Sequence, residues 1–227
     1  MALTGLICIA FSARTLGFDE QNLHAAGMRS CVRCLRKVIF GYGVSMDEFR
    51  SDIEALRANA RAQLDLGPVT DAYGADRQRV VAVLNEALAT ELVCVLRYKR
   101  HYFMAEGINS APIAAEFLQH AIEEQGHADQ IAARIVQLQG EPDFNPATLV
   151  ERSHAEYQPG GDLVDMITED LVAERIAIAS YNEIARWLGD NDITTRRLME
   201  SILAVEEEHA DDLLTFLKQM SATVNHP

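Results

Sequence analysis

Two stretches, Glu123-Glu124-Gln125-Gly126-His127-Ala128-Asp129 and Val205-Glu206-Glu207-Glu208-His209-Ala210-Asp211-Asp212, share one arrangement. In each, a glutamate is followed three residues later by a histidine: Glu124 with His127, and Glu206 with His209. On a helix, residues three apart are one turn along and about 60° around, so both side chains can aim at one point. Carboxylate oxygen and neutral imidazole nitrogen suit iron or manganese and tolerate zinc; no thiolate takes part. A lone Glu-x-x-His is ordinarily a solvated ion pair. Two copies inside apolar helical runs need another explanation.

The elements that would carry these residues follow from periodicity. Val80, Leu84, Ala87, Leu88, Glu91, Val95, Tyr98 and Tyr102 recur at spacings of three and four, which predicts a helix over about 76–105. Gly107 breaks it, and Ser110 and Pro112 start a second over about 111–139, stopped by Gly140 and Pro142. Asp162 caps a third, over about 162–188, and Gly189 ends it; Asp192 caps a fourth, over about 192–220. No stretch alternates like a strand, so the chain reads as all-α. The first-to-second and third-to-fourth links are short, which makes those pairs antiparallel neighbours. The Pro- and Gly-rich link from Gly140 to Gly161 can span a helix of about 45 Å and start the third helix parallel to the second. Four helices with one long crossover are a ferritin-like bundle.

In such a bundle the helix mid-points meet at one level. Glu91, Glu124 with His127, Glu174, and Glu206 with His209 each lie near a mid-point. Glu91 sits among Leu88, Leu92 and Val95, and Glu174 among Val172, Ala173, Ile176 and Ala177. Four buried carboxylates without partners would each cost several kcal/mol, against a total domain stability of about 5–15 kcal/mol. Two divalent cations cancel four carboxylates and leave the imidazoles neutral. The six residues are therefore candidate ligands and the candidate catalytic group. Tyr98 and Tyr181, two turns beyond Glu91 and Glu174, read as buried tyrosines whose hydroxyls bond a ligand carboxylate. His120 and Asp129 are either neighbours of the ligands or solvated. Cys94, Trp187 and the Leu/Ile/Val stripes read as core.

The remainder bounds the function. The chain has 227 residues and a formal net charge of −14, which argues against a nucleic-acid surface. No apolar run reaches the roughly 18 residues of a membrane span. Residues 1–45 differ, with five basic against two acidic residues and three of the four cysteines. Cys31 and Cys34 have CxxC spacing, but a zinc ribbon needs a second pair. The low cysteine count fits a reducing cytoplasm. We divide the chain into an extension, 1–45; a short polar helix and linker, 46–75, with the helix over 46–66 ended by Gly67-Pro68; the bundle, 76–220; and a tail, 221–227. Met46 could itself be a start.

Over about residues 76–220 the sequence resembles the bacterioferritin and ferritin-like family, through "NEALATELVCVLRY" (85–98), "AIEEQGHAD" (121–129), "EDLVAERIAI" (169–178) and "ILAVEEEHADDL" (202–213). The resemblance implies two irons per subunit, bridged by Glu124 and Glu206, with Glu91 and His127 completing one and Glu174 and His209 the other. It implies ferroxidase activity: Fe2+ oxidised to Fe3+ by O2 or H2O2 and stored in a homo-oligomeric shell. Haem-binding members place Met directly after the second-helix glutamate; here stands Gln125, so no haem is expected. Too few residues follow Lys218 for a fifth helix, which favours 12 subunits over 24. The alternatives are a peroxidase or catalase on the same bundle, rubrerythrin-like or manganese catalase-like, and a non-catalytic bundle whose central acids are ion-paired.

Overall fold

The structure, a computed structural model, describes residues 51–107 and 110–224. The expectations for residues 1–45, including those for Cys31 and Cys34, lie outside the described residues, as does Met46. By contact the chain divides into two units, 1–53 and 54–227, and the long helices all belong to the second. A short helix, α1 (Ile53–Ala62), has no buried residue, and a 3-10 turn at Leu64–Leu66 follows it. The expected polar helix over 46–66 is thus shorter in its described part. The chain turns at Gly67 with φ 57°, a left-handed value that glycine takes without steric cost.

The four long helices are α2 (Arg77–Met104), α3 (Ser110–Gln137), α5 (Leu163–Leu188) and α6 (Ile193–Val224), with one turn of helix, α4 (Leu149–Arg152), in the crossover. No strand occurs among the described residues. The two expected caps, Asp162 and Asp192, act where the sequence placed them, and Asp76 caps α2 as well. The Asp76 carboxylate accepts from Arg79 N, that of Asp162 from Val164 N and Asp165 N, and that of Asp192 from Thr195 N. Each satisfies first-turn N–H groups that have no partner within the helix. At the end of α3 the left-handed residue is Gln139, φ 59°, rather than Gly140. Gly140 serves a close approach: a Cβ there would come within 2.6 Å of Val81 on α2.

The crossover runs the length of α2, and its hydrogen bonds climb that helix in order. Asn85 Nδ2 donates to Glu141 O, Thr90 Oγ1 accepts from His154 N, Arg97 Nη1 donates to Glu156 O, and His101 Nε2 lies 3.0 Å from Pro159 O. The crossover therefore delivers α5 to the far end of α2, antiparallel to α2 and parallel to α3. Arg97, Asp170 and His101 lock that end: Arg97 Nε donates to Asp170 Oδ1 at 2.7 Å, and His101 Nδ1 lies 2.8 Å from Asp170 Oδ2, with all three side chains buried.

Two apolar cores fill the bundle. One gathers Leu84, Leu88, Ile131, Ile135, Leu188 and Met199; the other gathers Tyr98, Phe117, Ile167 and Leu213. Each fully buried large apolar side chain contributes about 1.5–3 kcal/mol. Trp187 is not in either core; it is 47% exposed. The inward stripe of α5 passes through Ile184, Ala185 and Leu188. Trp187 lies about 100° around from Leu188, over a groove with Arg79, Val83, Glu86 and His154.

Candidate metal centre

Between the two apolar cores lies a polar layer. Glu91 on α2 falls between Leu88 of one core and Cys94 of the other, and Glu174 on α5 between Ala173 and Ala177. Glu124 and His127 sit between Ala121 and Ala128 on α3, Glu206 and His209 between Ile202 and Leu213 on α6. Glu91, Glu124, Glu174, Glu206 and His209 are at most 2% exposed, and His127 is 6% exposed. All six sequence candidates thus meet at one height.

Their atoms crowd as ligands do. His127 Nδ1 lies 3.2 Å from Glu124 Oε2, 3.4 Å from Glu91 Oε2 and 3.0 Å from Glu206 Oε1. His209 Nδ1 lies 3.5 Å from Glu124 Oε1 and 3.3 Å from Glu206 Oε2. Most of these contacts are misaligned for hydrogen bonding. Glu91 Oε2, Glu124 Oε1, Glu174 Oε2, both Glu206 oxygens and His209 Nδ1 are buried with no hydrogen-bond partner. Two atoms each about 2.1 Å from one ion, at tetrahedral or octahedral angles, stand about 3.0–3.4 Å apart. The spacing matches that of atoms around a shared cation.

The six fall into two groups: Glu91, Glu124, His127 and Glu206, and Glu124, Glu174, Glu206 and His209. Glu124 and Glu206 belong to both. The remaining oxygens of the two outer glutamates are held by tyrosines. The Tyr98 hydroxyl donates to Glu174 Oε1 and the Tyr181 hydroxyl to Glu91 Oε1. Each tyrosine therefore serves the glutamate of the other helix, α2 to α5 and back. His120 Nδ1 lies 3.2 Å from the Tyr98 hydroxyl, and its ring stacks on that of His209 with centroids 3.9 Å apart. Asp129 is exposed and accepts from Gln125 Nε2 at 3.0 Å.

Without cations the layer balances its charge with protons. Burial opposes a charged His127, but the carboxylates of Glu124, Glu206 and Glu91 crowded around it outweigh that and push its pKa up to about 12. His209 is raised to about 11 against the same burial, by the carboxylates of Glu124 and Glu206 beside it. Burial, then repulsion from Glu124, lifts Glu91 to about 8, and burial with repulsion from Glu124 and Glu206 raises Glu174 well above the usual range. Glu124 resists burial and the Glu206 charge because both imidazoles lie against it, and its pKa is lowered. Divalent ions that drive these protons off supply the same compensation with better geometry.

The fold and these groups fit one known family. The Ferritin-like domain pattern matches residues 81–223. The chain belongs to the ferritin-like family. It is 31% identical to the bacterioferritin of Rhodobacter capsulatus over 141 residues, 60% of this chain and 81% of that protein. Among solved structures it is similar to the dodecameric thioferritin, a bacterioferritin-related protein, of Bacteroides fragilis. That match is 33% identical with a TM-score of 0.65, over 67% of this chain and 92% of that one. The R. capsulatus bacterioferritin structure, with its metal-free dinuclear site and haem iron, matches at 30% identity and a TM-score of 0.56, over 65% and 88%. Among the described residues no helix is long and apolar enough to cross a membrane.

Proposed function

We propose that this ferritin-like chain stores iron and is a ferroxidase, with Fe2+ as substrate at the layer of Glu91, Glu124, His127, Glu174, Glu206 and His209. The observation that carries this reading is the set of six buried atoms in that layer without hydrogen-bond partners. The donor set fits two ions, because four carboxylates and two neutral imidazoles balance two divalent charges. Glu124 and Glu206, common to both groups, would span the pair; Glu91 with His127 and Glu174 with His209 would complete one ion each.

Each Fe2+ gives up one electron. The two electrons, with two protons, reduce O2 to H2O2; the same electrons and protons reduce H2O2 to two waters. The chain's residues set the geometry and the charge. Tyr98 and Tyr181 orient Glu174 and Glu91 by holding one oxygen of each, which turns the other oxygen toward the ions. His127 and His209 shed protons when ions enter and take them up when ions leave. The apolar cores above and below exclude bulk water from the layer. Manganese or zinc would fit the same donors. No haem is proposed: residue 125 offers an amide bonded to Asp129. We further propose a cytoplasmic homo-oligomeric shell of 12 subunits, by similarity to the dodecameric B. fragilis protein, and no nucleic-acid partner, given a net charge of −14.

The test is an aerobic Fe2+ titration followed by ferric absorbance, with light scattering for subunit number. A rapid phase ending near two Fe2+ per chain is expected, abolished in Glu124→Ala. A missing rapid phase, or one that survives that substitution, rejects the reading.

A further inference from the structure

Outside the six-residue layer one buried group is left in an arrangement that the proposed centre does not use. His120, on α3, is 1% exposed. The Tyr98 hydroxyl spends its proton on Glu174, so it can only accept from His120 Nδ1. That hydrogen bond fixes the tautomer: the proton is on Nδ1, and Nε2 carries the lone pair. Nε2 has no hydrogen-bond partner. Glu116 Oε1, another acceptor, lies 3.4 Å from it. Asp212, exposed on α6, completes the cluster: one ligating atom from each of Glu116, His120 and Asp212 lies within 4.8 Å of the others.

A lone pair facing two carboxylates is a repulsive arrangement unless a cation lies among them. Hydrogen bonding offers no relief, since Nε2 has no proton to give. The neighbouring acid, Glu123, is already engaged: one oxygen accepts from Gln119 Nε2 at 2.7 Å and the other lies 2.9 Å from His209 Nε2. Among the described residues, no Lys or Arg forms an ion pair with Glu116 or Asp212. Buried imidazole nitrogen with a fixed tautomer, plus two carboxylates able to swing in from the surface, is a ligand set for a borderline divalent ion.

We propose that Glu116, His120 and Asp212 form a third divalent-cation site, in the groove between α3 and α6, separate from the two-ion centre. It needs none of the six central residues and does not depend on the centre's being a ferroxidase. It does communicate with them. The His120 ring stacks on His209 and its Nδ1 bonds the tyrosine that holds Glu174.

Zn2+ is the probe. The full chain, stripped of metal, is titrated with Zn2+ by calorimetry, and crystals soaked in Zn2+ are examined by anomalous diffraction. We expect three ions per chain, with one peak about 2.0–2.2 Å from His120 Nε2. The double variant Glu116→Gln, Asp212→Asn changes only a half-buried and an exposed side chain, so its fold is safe. It should bind one ion fewer and lose that peak alone. An unchanged count in the double variant, or no peak at His120 in the wild type, overturns the proposal. Glu124→Gln separates the two claims: it should empty the centre while the His120 peak stays. A wild type with the His120 peak alone would sink the two-ion centre and leave this site standing.

Discussion

Two clusters of buried charge share α2 and α5 and solve the same problem in opposite ways. At Asp170 both carboxylate oxygens are taken, one by Arg97 and one by His101, and the cluster is complete. One turn further along α5, Glu174 has one oxygen held by Tyr98 and the other left bare; Glu91 and Glu124 likewise have one bare oxygen each, and Glu206 has two. Burial of acids is common to both and distinguishes nothing. Partnership does. The first cluster locks the crossover to the bundle; the second keeps ligating atoms free, at a cost that cations can offset.

The largest expected effect breaks the complete cluster. Asp170→Asn leaves the Arg97 guanidinium, 1% exposed, without its counter-charge. Stability of the metal-free chain should fall by about 3–5 kcal/mol, read from urea denaturation. A loss below about 1 kcal/mol would show that Arg97 finds water or another partner, and the contrast would fail.

The open cluster should instead gain from ions. Zn2+ at about a hundred times its dissociation constant should stabilise the chain by about 2.7 kcal/mol for each independent site, seen as a rise in Tm. The gain depends on pH with a definite sign. His127 and His209, raised to about 12 and 11 in the metal-free protein, are protonated at neutral pH and must become neutral to ligate. Binding then releases at least two protons, and affinity for the filled pair falls at least about a hundredfold per unit as pH drops. Calorimetry in buffers of different ionisation enthalpy counts the protons; fewer than two released per chain contradicts the scheme.

Tyr98→Phe sharpens the comparison from the side of orientation. It frees Glu174 Oε1 and leaves His120 Nδ1 without its acceptor. Affinity at the centre should weaken about 10- to 100-fold, the usual cost of losing a group that orients a ligand. Unchanged binding would mean that the helices alone aim Glu174.

Much of this was legible in the sequence. The four helices, the caps at Asp162 and Asp192 and the meeting of six residues at one height follow from spacing and from equal lengths. What spacing cannot give is which side chain crosses to which helix. Tyr98 serves Glu174 and Tyr181 serves Glu91 because α2 and α5 run antiparallel, and the register of that pairing comes from the packed crossover. The Arg97–Asp170–His101 cluster went unread for the same reason. Its one signal is that Arg97 and His101 stand four apart on one face. Trp187 was misassigned to the core because an apolar residue beside an inward stripe looks like part of it.

The smallest effect is the most discriminating. Glu174→Gln makes on α5, four residues on, the same acid-to-amide change as Asp170→Asn. In the metal-free chain burial and the Glu124 and Glu206 charges already hold Glu174 well above the usual carboxylate range, so its neutral form is favoured. The amide keeps the size and an oxygen for Tyr98. Metal-free stability should therefore move by no more than about 1 kcal/mol, the worth of one hydrogen bond. Metal should report the reverse: the ion nearest His209 loses an anionic ligand, and the Tm gain from Zn2+ should shrink while Asp170→Asn leaves that gain intact. If the two substitutions cost the metal-free protein alike, Glu174 is partnered in solution as Asp170 is, and its bare oxygen no longer marks a ligand.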